Sequence, residues 1–407
     1  MNKCYLKKNL KEAVIKMNII IFTDTYPPEI NGVATSTNNL YKILKANGHN
    51  AYVVCTNPFG KTIQFENDVL RIPGIELKKL YSYRISNIYN SKAMKIVTKL
   101  KPDIVHVNTE EGISMFGRIV SRRLHIPLVY TYHTMFEDYT YYVTKNNMIF
   151  DRFAKKFVRT VTKILANNAT EFIAPSDKTK DAIRTYGYKS YVNIVPTGID
   201  FSKYEYQNID IEKLNYLKNK YDLNNCFTVL SLGRVAKEKS IDICLRGFKK
   251  FLNKYNGKTK MLIVGGGPAL IELQELAKEL AIQDKVIFTG PVSPDEVPYY
   301  YHLGNVFVSA SVTETQGLTF MEAMASRTFI LARFDENLAD VIIDNETGFY
   351  FESEDDFCDE LIKVIDLNSQ AKDKILNNAY ELVGRYSLDN FYNNIMEVYK
   401  RAFRKYW

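Results

Sequence analysis

The chain has 407 residues, of which 46% are hydrophobic and 25% charged, and 54 Lys and Arg against 46 Asp and Glu give it a net charge of +8. This length predicts roughly two or three domains, and the composition excludes a short peptide, a coiled coil and a disordered chain. The positive charge favours an anionic partner: a phosphate compound, a nucleic acid or an acidic membrane surface.

From Met17 onward, short apolar runs alternate with helical patterns, as in a parallel sheet covered by helices. Runs predicted as strands of a first domain cover residues 18–22, 51–55, 103–107, 127–132, 171–175 and 192–196. After a stretch rich in Tyr, Asn and Lys, runs predicted as strands of a second domain begin at residues 227, 261, 285, 305 and 328.

We therefore predict an α/β protein with two doubly wound, Rossmann-like domains. The first covers residues 17–200, and the second covers 201–385 and starts with a linker to about residue 225. Ligands of such sheets bind beyond the carboxyl ends of the strands, so two domains that face each other by those ends would form a cleft for two substrates.

The composition also bears on the compartment. The five cysteines include no Cys-x-x-Cys pair, which favours neither a disulfide framework nor a zinc site and fits a reducing cytosol. Residues 1–16 are charged throughout, and no apolar run approaches the length of a membrane span. We expect a protein that is neither exported nor membrane-spanning, and we assign no function to residues 1–16.

The segment 311–326 contains two glutamates, Glu314 and Glu322, around a glycine, Gly317, that opens a predicted helix. The free N–H groups of Gly317, Leu318 and Thr319 would point out of the helix start, where an anion is favoured. The two carboxylates would accept hydrogen bonds from hydroxyl groups on either side. These features together predict a nucleoside diphosphate sugar as the ligand.

A second loop, between a predicted strand and helix, contains Arg234 and Lys239. Both can reach a diphosphate from the same side and stabilise the negative charge that develops when a nucleoside diphosphate departs. The sequence has no evident Asp-x-Asp pair, so we expect these cations and the helix dipole to replace a metal ion. We predict no metal site and no cofactor beyond the sugar donor.

The sequences GRVAKEK and ETQGLTFMEAMAS resemble the donor site of family 4 retaining glycosyltransferases, which have the GT-B fold. The resemblance implies that Glu314 contacts sugar hydroxyls, that Glu322 holds the ribose, and that a C-terminal helix, residues 386–407, packs back on the first domain. It also implies a phosphate contact at Gly32, in a segment with Asn-Gly where the family usually has Gly-Gly.

The same resemblance implies further contacts to the donor. It assigns main-chain contacts with the nucleoside, most often uridine, to Gly265, Pro291 and Val292. The alternative for the glycine run at Gly265 is a tight turn without a ligand. Gln316 takes the place of a Phe found in many members and is counted among the donor-binding residues.

The segment TYHTMFEDYTYYV is similar to a narrower subgroup, the bacterial diacylglycerol glycosyltransferases. This similarity implies that His133 faces the sugar and the acceptor, so that His133 and Glu314 are the predicted catalytic residues. The alternative for His133 is a structural residue after a strand.

Two segments concentrate the basic charge. Residues 78–101 contain seven basic and no acidic residues and suggest an interfacial membrane segment. The predicted membrane or acceptor surface consists of Lys78, Lys79, Tyr81, Tyr83, Arg84, Lys92 and Lys95. In residues 145–163 a phenylalanine-rich face lies opposite a basic one, and we favour core packing for it over membrane contact. No nucleic-acid-binding motif accompanies the charge, so a lipid surface is the favoured partner.

We thus predict a cytoplasmic enzyme, peripheral on the inner face of the cell membrane, that transfers a hexose from a UDP-sugar to diacylglycerol with retention of configuration. Glucose from UDP-glucose is the favoured sugar. One alternative is the same chemistry on a soluble acceptor or polysaccharide. Another is a nucleotide-sugar epimerase or a non-catalytic sugar-binding protein on the same fold.

Overall fold

The computed structural model describes residues 16–407 except 30, 78–82, 136, 138–139, 141–147, 313, 315, 336–337 and 340, and no side chain at 76, 77 or 83. Within these residues the chain forms two sheets, each covered on both faces by helices. None of the described helices is long and apolar enough to cross a lipid bilayer.

The described part of the N-terminal sheet has nine strands in the order β3-β4-β2-β1-β6-β7-β8-β9, with β5 paired to β4. The strands are β1 (Asn18–Thr23), β2 (Asn50–Asn57), β3 (Gln64–Glu66), β4 (Val69–Leu77), β5 (Tyr83–Ser86), β6 (Ile104–Val107), β7 (Leu128–Thr131), β8 (Glu171–Ala174) and β9 (Asn193–Ile194). The helices are α1 (Gly32–Ala46), α2 (Ser91–Lys99), α3 (Gly112–Leu124), α4 (Met148–Asn167) and α5 (Asp177–Thr185). Pairing is parallel except at β3 and β5, each antiparallel to β4.

The C-terminal sheet is parallel, in the order β12-β11-β10-β13-β14-β15. Its strands are β10 (Phe227–Leu232), β11 (Thr259–Val264), β12 (Val286–Gly290), β13 (Val306–Ser309), β14 (Phe329–Arg333) and β15 (Phe349–Phe351). Its helices are α6 (Ile211–Lys220), α7 (Ile241–Lys254), α8 (Leu270–Glu279), α9 (Val297–Leu303), α10 (Leu318–Ala325), α11 (Glu354–Asp366) and α12 (Ser369–Val383). The strand order reverses between β10 and β13, and a ligand crevice is expected at the carboxyl ends of those strands.

The last helix, α13 (Leu388–Tyr406), packs on the N-terminal sheet rather than on the domain that precedes it. Its buried Phe391, Ile395 and Tyr399 belong to the same apolar cluster as Ile19 and Val129 of the sheet. The hydroxyl of Tyr399 is also 2.8 Å from Nδ1 of the buried His106 on β6. The C-terminal helix therefore completes the core of the first domain.

The two chain segments that connect the domains lie side by side. The amide of Ile199 donates a hydrogen bond to the carbonyl of Tyr386 at 2.8 Å, and Ile199 and Ser387 form an isolated β-bridge. The residue before Ile199 is Gly198, where a Cβ atom would lie 2.6 Å from Cβ of Phe391 and 3.1 Å from Cα of Leu388. The connection therefore requires a residue without a side chain at position 198.

The described part of the basic segment 78–101 belongs to the folded domain, and its membrane contact stays a prediction. It contains β5 and α2, and Ala93 and Val97 of that helix are fully buried in the core of the first domain. Arg84 lies in β5, as does the backbone of Tyr83, and Lys92 and Lys95 lie on the exposed side of α2. Lys78, Lys79 and Tyr81 lie outside the described residues.

The prediction that the phenylalanine-rich face of residues 145–163 packs in the core is wrong. Phe150, Phe153 and Phe157 on α4 are between 66% and 70% exposed. The face that packs against the domain carries smaller or aliphatic side chains, including Thr162 and Leu165, and it is turned away from the three rings.

The contact at Gly198 gives a stability test. We expect Gly198→Ala to lower the free energy of unfolding by roughly 1–3 kcal/mol, because the methyl group overlaps Phe391 where α13 cannot move without disturbing the sheet. Gly384→Ala is the matched control, since a Cβ there meets nothing within 4 Å and its φ of −53° suits alanine. Urea denaturation of both variants measures the difference, and equal stabilities would contradict this packing.

Candidate active site

Two helices begin opposite each other at the carboxyl ends of the two sheets. Gly317, at φ 72°, precedes α10, and a Cβ there would lie 2.9 Å from both Leu338 and Phe320. A Cβ on Gly32, the first residue of α1, would lie 3.7 Å from Cδ1 of Leu318, the first residue of α10. The predicted anion site at Gly317, Leu318 and Thr319 thus lies where both helix N-termini converge.

Glu314 is held by cations from both domains. Nζ of Lys239 is 2.6 Å from Oε1 of Glu314, and Nζ of Lys178, just inside α5 of the first domain, donates to the Glu314 carbonyl at 3.3 Å. Burial alone would raise the pKa of Glu314, but the charge and the hydrogen bond of Lys239 outweigh it and hold the pKa below its usual value. The carboxylate therefore stays ionised at neutral pH.

Glu322 is the opposite case. It lies on α10, where the hydroxyl of Tyr301 donates to Oε2 at 2.9 Å and Tyr204 gives a second hydrogen bond. Burial raises the pKa of Glu322 to about 7 despite these two donors. In contrast to Glu314, no cation among the described residues counteracts the effect of burial. A ligand hydroxyl that donates to this carboxylate would favour its ionised form.

Arg234 follows β10 and donates to the buried carboxylate of Glu238, within hydrogen-bond distance. The Arg234 side chain is 43% exposed. Lys239 ends a single turn of 3₁₀ helix, Lys237–Lys239, in the same loop. The structure thus brings Arg234, Lys239 and Glu314 to the ends of the two central strands, β10 and β13.

The glycine run after β11 has a packing reason of its own. A Cβ on Gly265, at φ 138°, would lie 1.8 Å from the carbonyl oxygen of Gly233, and one on Gly266 would lie 3.3 Å from Cδ of Pro291. Val292 is half-buried against the core. The loops after β10, β11 and β12 therefore lie in contact, and nucleoside contacts at Gly265, Pro291 and Val292 remain a prediction.

The Gln316 side chain hydrogen-bonds within the protein. Its Oε1 accepts from the amide of Thr197 at 2.8 Å, and its Nε2 donates to the Thr197 carbonyl at 3.0 Å. Because Thr197 precedes the connection between the domains, this pair joins the donor loop to that connection. Only the main chain of Gln316 is left for the predicted donor contact.

His133 lies two residues after β7 and lines a small cavity with Ser36, His106, Asn108 and Thr197. Burial lowers the pKa of His133 to about 4, so the imidazole is neutral at pH 7 and offers one donor and one acceptor. The described atoms supply no hydrogen-bond partner to Oδ1 of Asn108 in the same cavity. Leu40 of α1 and Phe391 and Ile395 of α13 also line the cavity, so it lies between the end of the first sheet and these two helices.

Sequence analysis missed three charged residues that follow strands of the first sheet: Asp24, Glu110 and Lys178. Asp24 follows β1 and accepts from the amide of Ile113 at 2.9 Å, and Glu110 follows β6 and accepts from the Tyr130 hydroxyl at 2.5 Å. Burial raises the pKa of Glu110 well above its usual range. Together with Lys178 these groups could have been found by one signal, a charged residue within four residues after a buried strand.

The described residues contain no group of three or more His, Cys, Asp or Glu side chains that could hold a metal ion. The charged groups at the cleft are instead the cations and carboxylates described above. This arrangement can bind a phosphate-containing ligand between two sets of hydroxyl acceptors.

Solved structures with the same fold cover nearly the whole chain. Sucrose-phosphate synthase from Thermosynechococcus elongatus superposes with a TM-score of 0.74 at 17% identity, covering 96% of this chain and 99% of that one. Anabaena HepE, solved in complex with UDP-glucose, superposes with a TM-score of 0.73 at 18% identity, covering 94% and 98%. The two facing Rossmann-like domains thus form a GT-B glycosyltransferase fold.

Family models match both domains: Glycosyltransferase Family 4 over residues 30–203 and Glycosyl transferases group 1 over residues 217–382. The α-monoglucosyldiacylglycerol synthase of Streptococcus pneumoniae R6 is 34% identical over 95% of this chain and 86% of its own length. The enzyme of that name from Acholeplasma laidlawii is 34% identical over 86% and 88%. The chain belongs to glycosyltransferase family 4.

The opposite pKa shifts of the two glutamates predict opposite effects on stability. The pKa of Glu322 is raised from 4.5 to about 7 on folding, so its contribution to the free energy of unfolding is full below pH 4.5 and is lost as the pH rises through 7. We therefore expect the free energy of unfolding of Glu322→Gln, relative to that of the wild type, to rise by roughly 1–3 kcal/mol as the pH increases from about 5 to about 8.

Glu314→Gln is the matched comparison for this measurement. The lowered pKa of Glu314 keeps it ionised over the same range, so its replacement should destabilise the protein by a constant amount. Urea denaturation at several pH values separates the two cases, and a Glu322→Gln difference that does not change with pH would contradict the raised pKa.

Proposed function

We propose that this enzyme transfers glucose from UDP-glucose to the free hydroxyl of diacylglycerol, giving a monoglucosyl diacylglycerol. The observation that carries the proposal is the site at the start of α10, where two cations and two glutamates surround an anion position, in a chain 34% identical to α-monoglucosyldiacylglycerol synthases. The UDP-glucose bound to a fold neighbour supports the choice of donor.

In this mechanism the diphosphate lies at the starts of α1 and α10. Arg234 and Lys239 stabilise the charge that develops on UDP as the bond between the sugar carbon C1 and the phosphate oxygen breaks. Glu322 accepts from ribose hydroxyls, and Glu314 from sugar hydroxyls. The neutral imidazole of His133 orients the sugar and the acceptor from the other domain.

The acceptor oxygen attacks C1 on the face from which UDP departs, so the configuration at C1 is retained. Its proton passes to the departing phosphate oxygen, which balances the charge without a covalent enzyme intermediate. Because cationic side chains and helix starts supply the positive charge, the reaction needs no metal ion. The acceptor is a membrane lipid, so we place the enzyme on the inner face of an anionic cell membrane as a peripheral protein.

Transfer of labelled sugar from UDP-glucose into vesicles that contain diacylglycerol tests this proposal. We expect a glucolipid with an α linkage, formed faster than with UDP-galactose and at the same rate when EDTA is added. Glu314→Ala should lower the rate roughly hundredfold or more, because the sugar loses a hydroxyl acceptor and Lys239 its carboxylate partner.

Lys285→Gln is the control, since this exposed lysine lies beside β12 and away from the cleft. A protein that binds UDP but forms no lipid product with either donor would overturn the lipid acceptor and point to a soluble one. A product with a β linkage would overturn the retaining mechanism.

A further inference from the structure

Helix α4 carries large apolar side chains on its exposed face. Phe153 is 69% exposed, Phe157 70% and Ile164 52%. At about 100° per residue the two rings and Ile164 fall within one narrow sector of the helix. Isolated exposed apolar residues are common, whereas a continuous stripe of this kind marks an interaction surface.

Basic side chains run along one edge of this stripe. By the same helical geometry Arg152, Lys156, Arg159 and Lys163 lie together in the sector beside the rings, about 110° around the helix, rather than opposite them as predicted from the sequence. The first three of these residues are exposed. Thr162, Leu165 and Ala166 on the far side of the helix are buried against the domain, so the rings and the basic edge both face outward.

The presence of both aromatic rings and cations on α4 indicates which kind of partner this face binds. A two-fold contact with a second copy would place the basic edge of each helix against an identical basic edge, at a cost in repulsion. A nucleic acid would satisfy the cations but leave the aliphatic and aromatic stripe in water. An anionic lipid bilayer accepts both, since the rings enter the boundary of the acyl chains while the cations remain among the phosphates.

We infer that α4 is the surface by which this protein docks on an anionic lipid bilayer, with its axis in the plane of the membrane. The inference names the surface for the membrane contact of the proposed function. It rests on that function only for the purpose of docking, which is to bring the enzyme to a lipid acceptor. Membrane contact by segment 78–101, whose described part forms β5 and α2, stays a separate prediction.

Docking through α4 would bring the acceptor to the site. Nε of Arg159 is 2.5 Å from Oε2 of Glu137, and the hydroxyl of Thr140 is 2.5 Å from Oδ1 of Asp151 on the same helix. Glu137 and Thr140 follow His133 along the chain by four and seven residues. If α4 lies in the headgroup layer, these contacts therefore place Glu137 and Thr140, which follow His133, at about the depth of a diacylglycerol hydroxyl.

The test is sedimentation of the full-length protein with vesicles, without any donor. We expect binding to vesicles of phosphatidylglycerol mixed with phosphatidylcholine, and weak binding to phosphatidylcholine alone. Phe153→Ser combined with Phe157→Ser should weaken binding to the anionic vesicles by about a hundredfold, and Arg152→Gln with Lys156→Gln by about twentyfold. Added salt should weaken the wild type more than the second variant.

Matched controls lie on the second domain. Tyr216→Ser with Ile271→Ser removes two side chains that are 64% and 70% exposed, and Lys278→Gln with Lys285→Gln removes two exposed charges. Both should bind vesicles as the wild type does. Unchanged affinity for UDP shows that the α4 variants are folded.

Wild-type vesicle binding by the Phe153→Ser, Phe157→Ser variant would overturn the inference, as would equal losses in the control variants. Loss of a dimer in that variant with vesicle binding intact would also overturn it and assign the face to a second copy. The vesicle assay contains no sugar donor, so loss of vesicle binding in this variant supports the docking surface whatever the transfer assay gives. Absence of a lipid product in the transfer assay would count against the proposed function alone.

Discussion

The donor site depends on the ion pair between Glu314 and Lys239. A carboxylate buried at the end of β13 would take up a proton if it had no cation beside it, and it could then no longer act only as an acceptor for sugar hydroxyls. Lys239 prevents this, and it comes from the loop after the neighbouring strand, β10. The reversal of strand order between β10 and β13 is what places these two loops side by side.

The same loop is tied to the first domain. Lys178 bonds the carbonyl of Glu314, and two hydrogen bonds join Gln316 to the main chain of Thr197. Thr197 directly precedes the segment that connects the domains, which lies along the return segment at Tyr386. These contacts fix the donor loop against the first domain. The same domain carries His133 and α4 on the acceptor side.

Much of this could be read from the sequence because it depends on local patterns. The buried strands of both sheets appear as apolar runs, and the start of α10 is signalled by Gly317 followed by a helical pattern. The role of the Gln316 side chain could not be read, since its partner is 119 residues away in the other domain. The face of α4 was misassigned because a helical pattern gives which residues share a face but not which face the domain covers.

The central claim is that the starts of α1 and α10, with Arg234 and Lys239, bind the diphosphate of a nucleotide sugar. Calorimetric titration of the protein with UDP, and with uridine as a competitor, tests it most directly. We predict that UDP binds at least about a hundredfold more tightly than uridine, and that Lys239→Met removes most of this difference without changing the affinity for uridine. Equal affinities for UDP and uridine, or a difference that Lys239→Met leaves intact, would contradict the account.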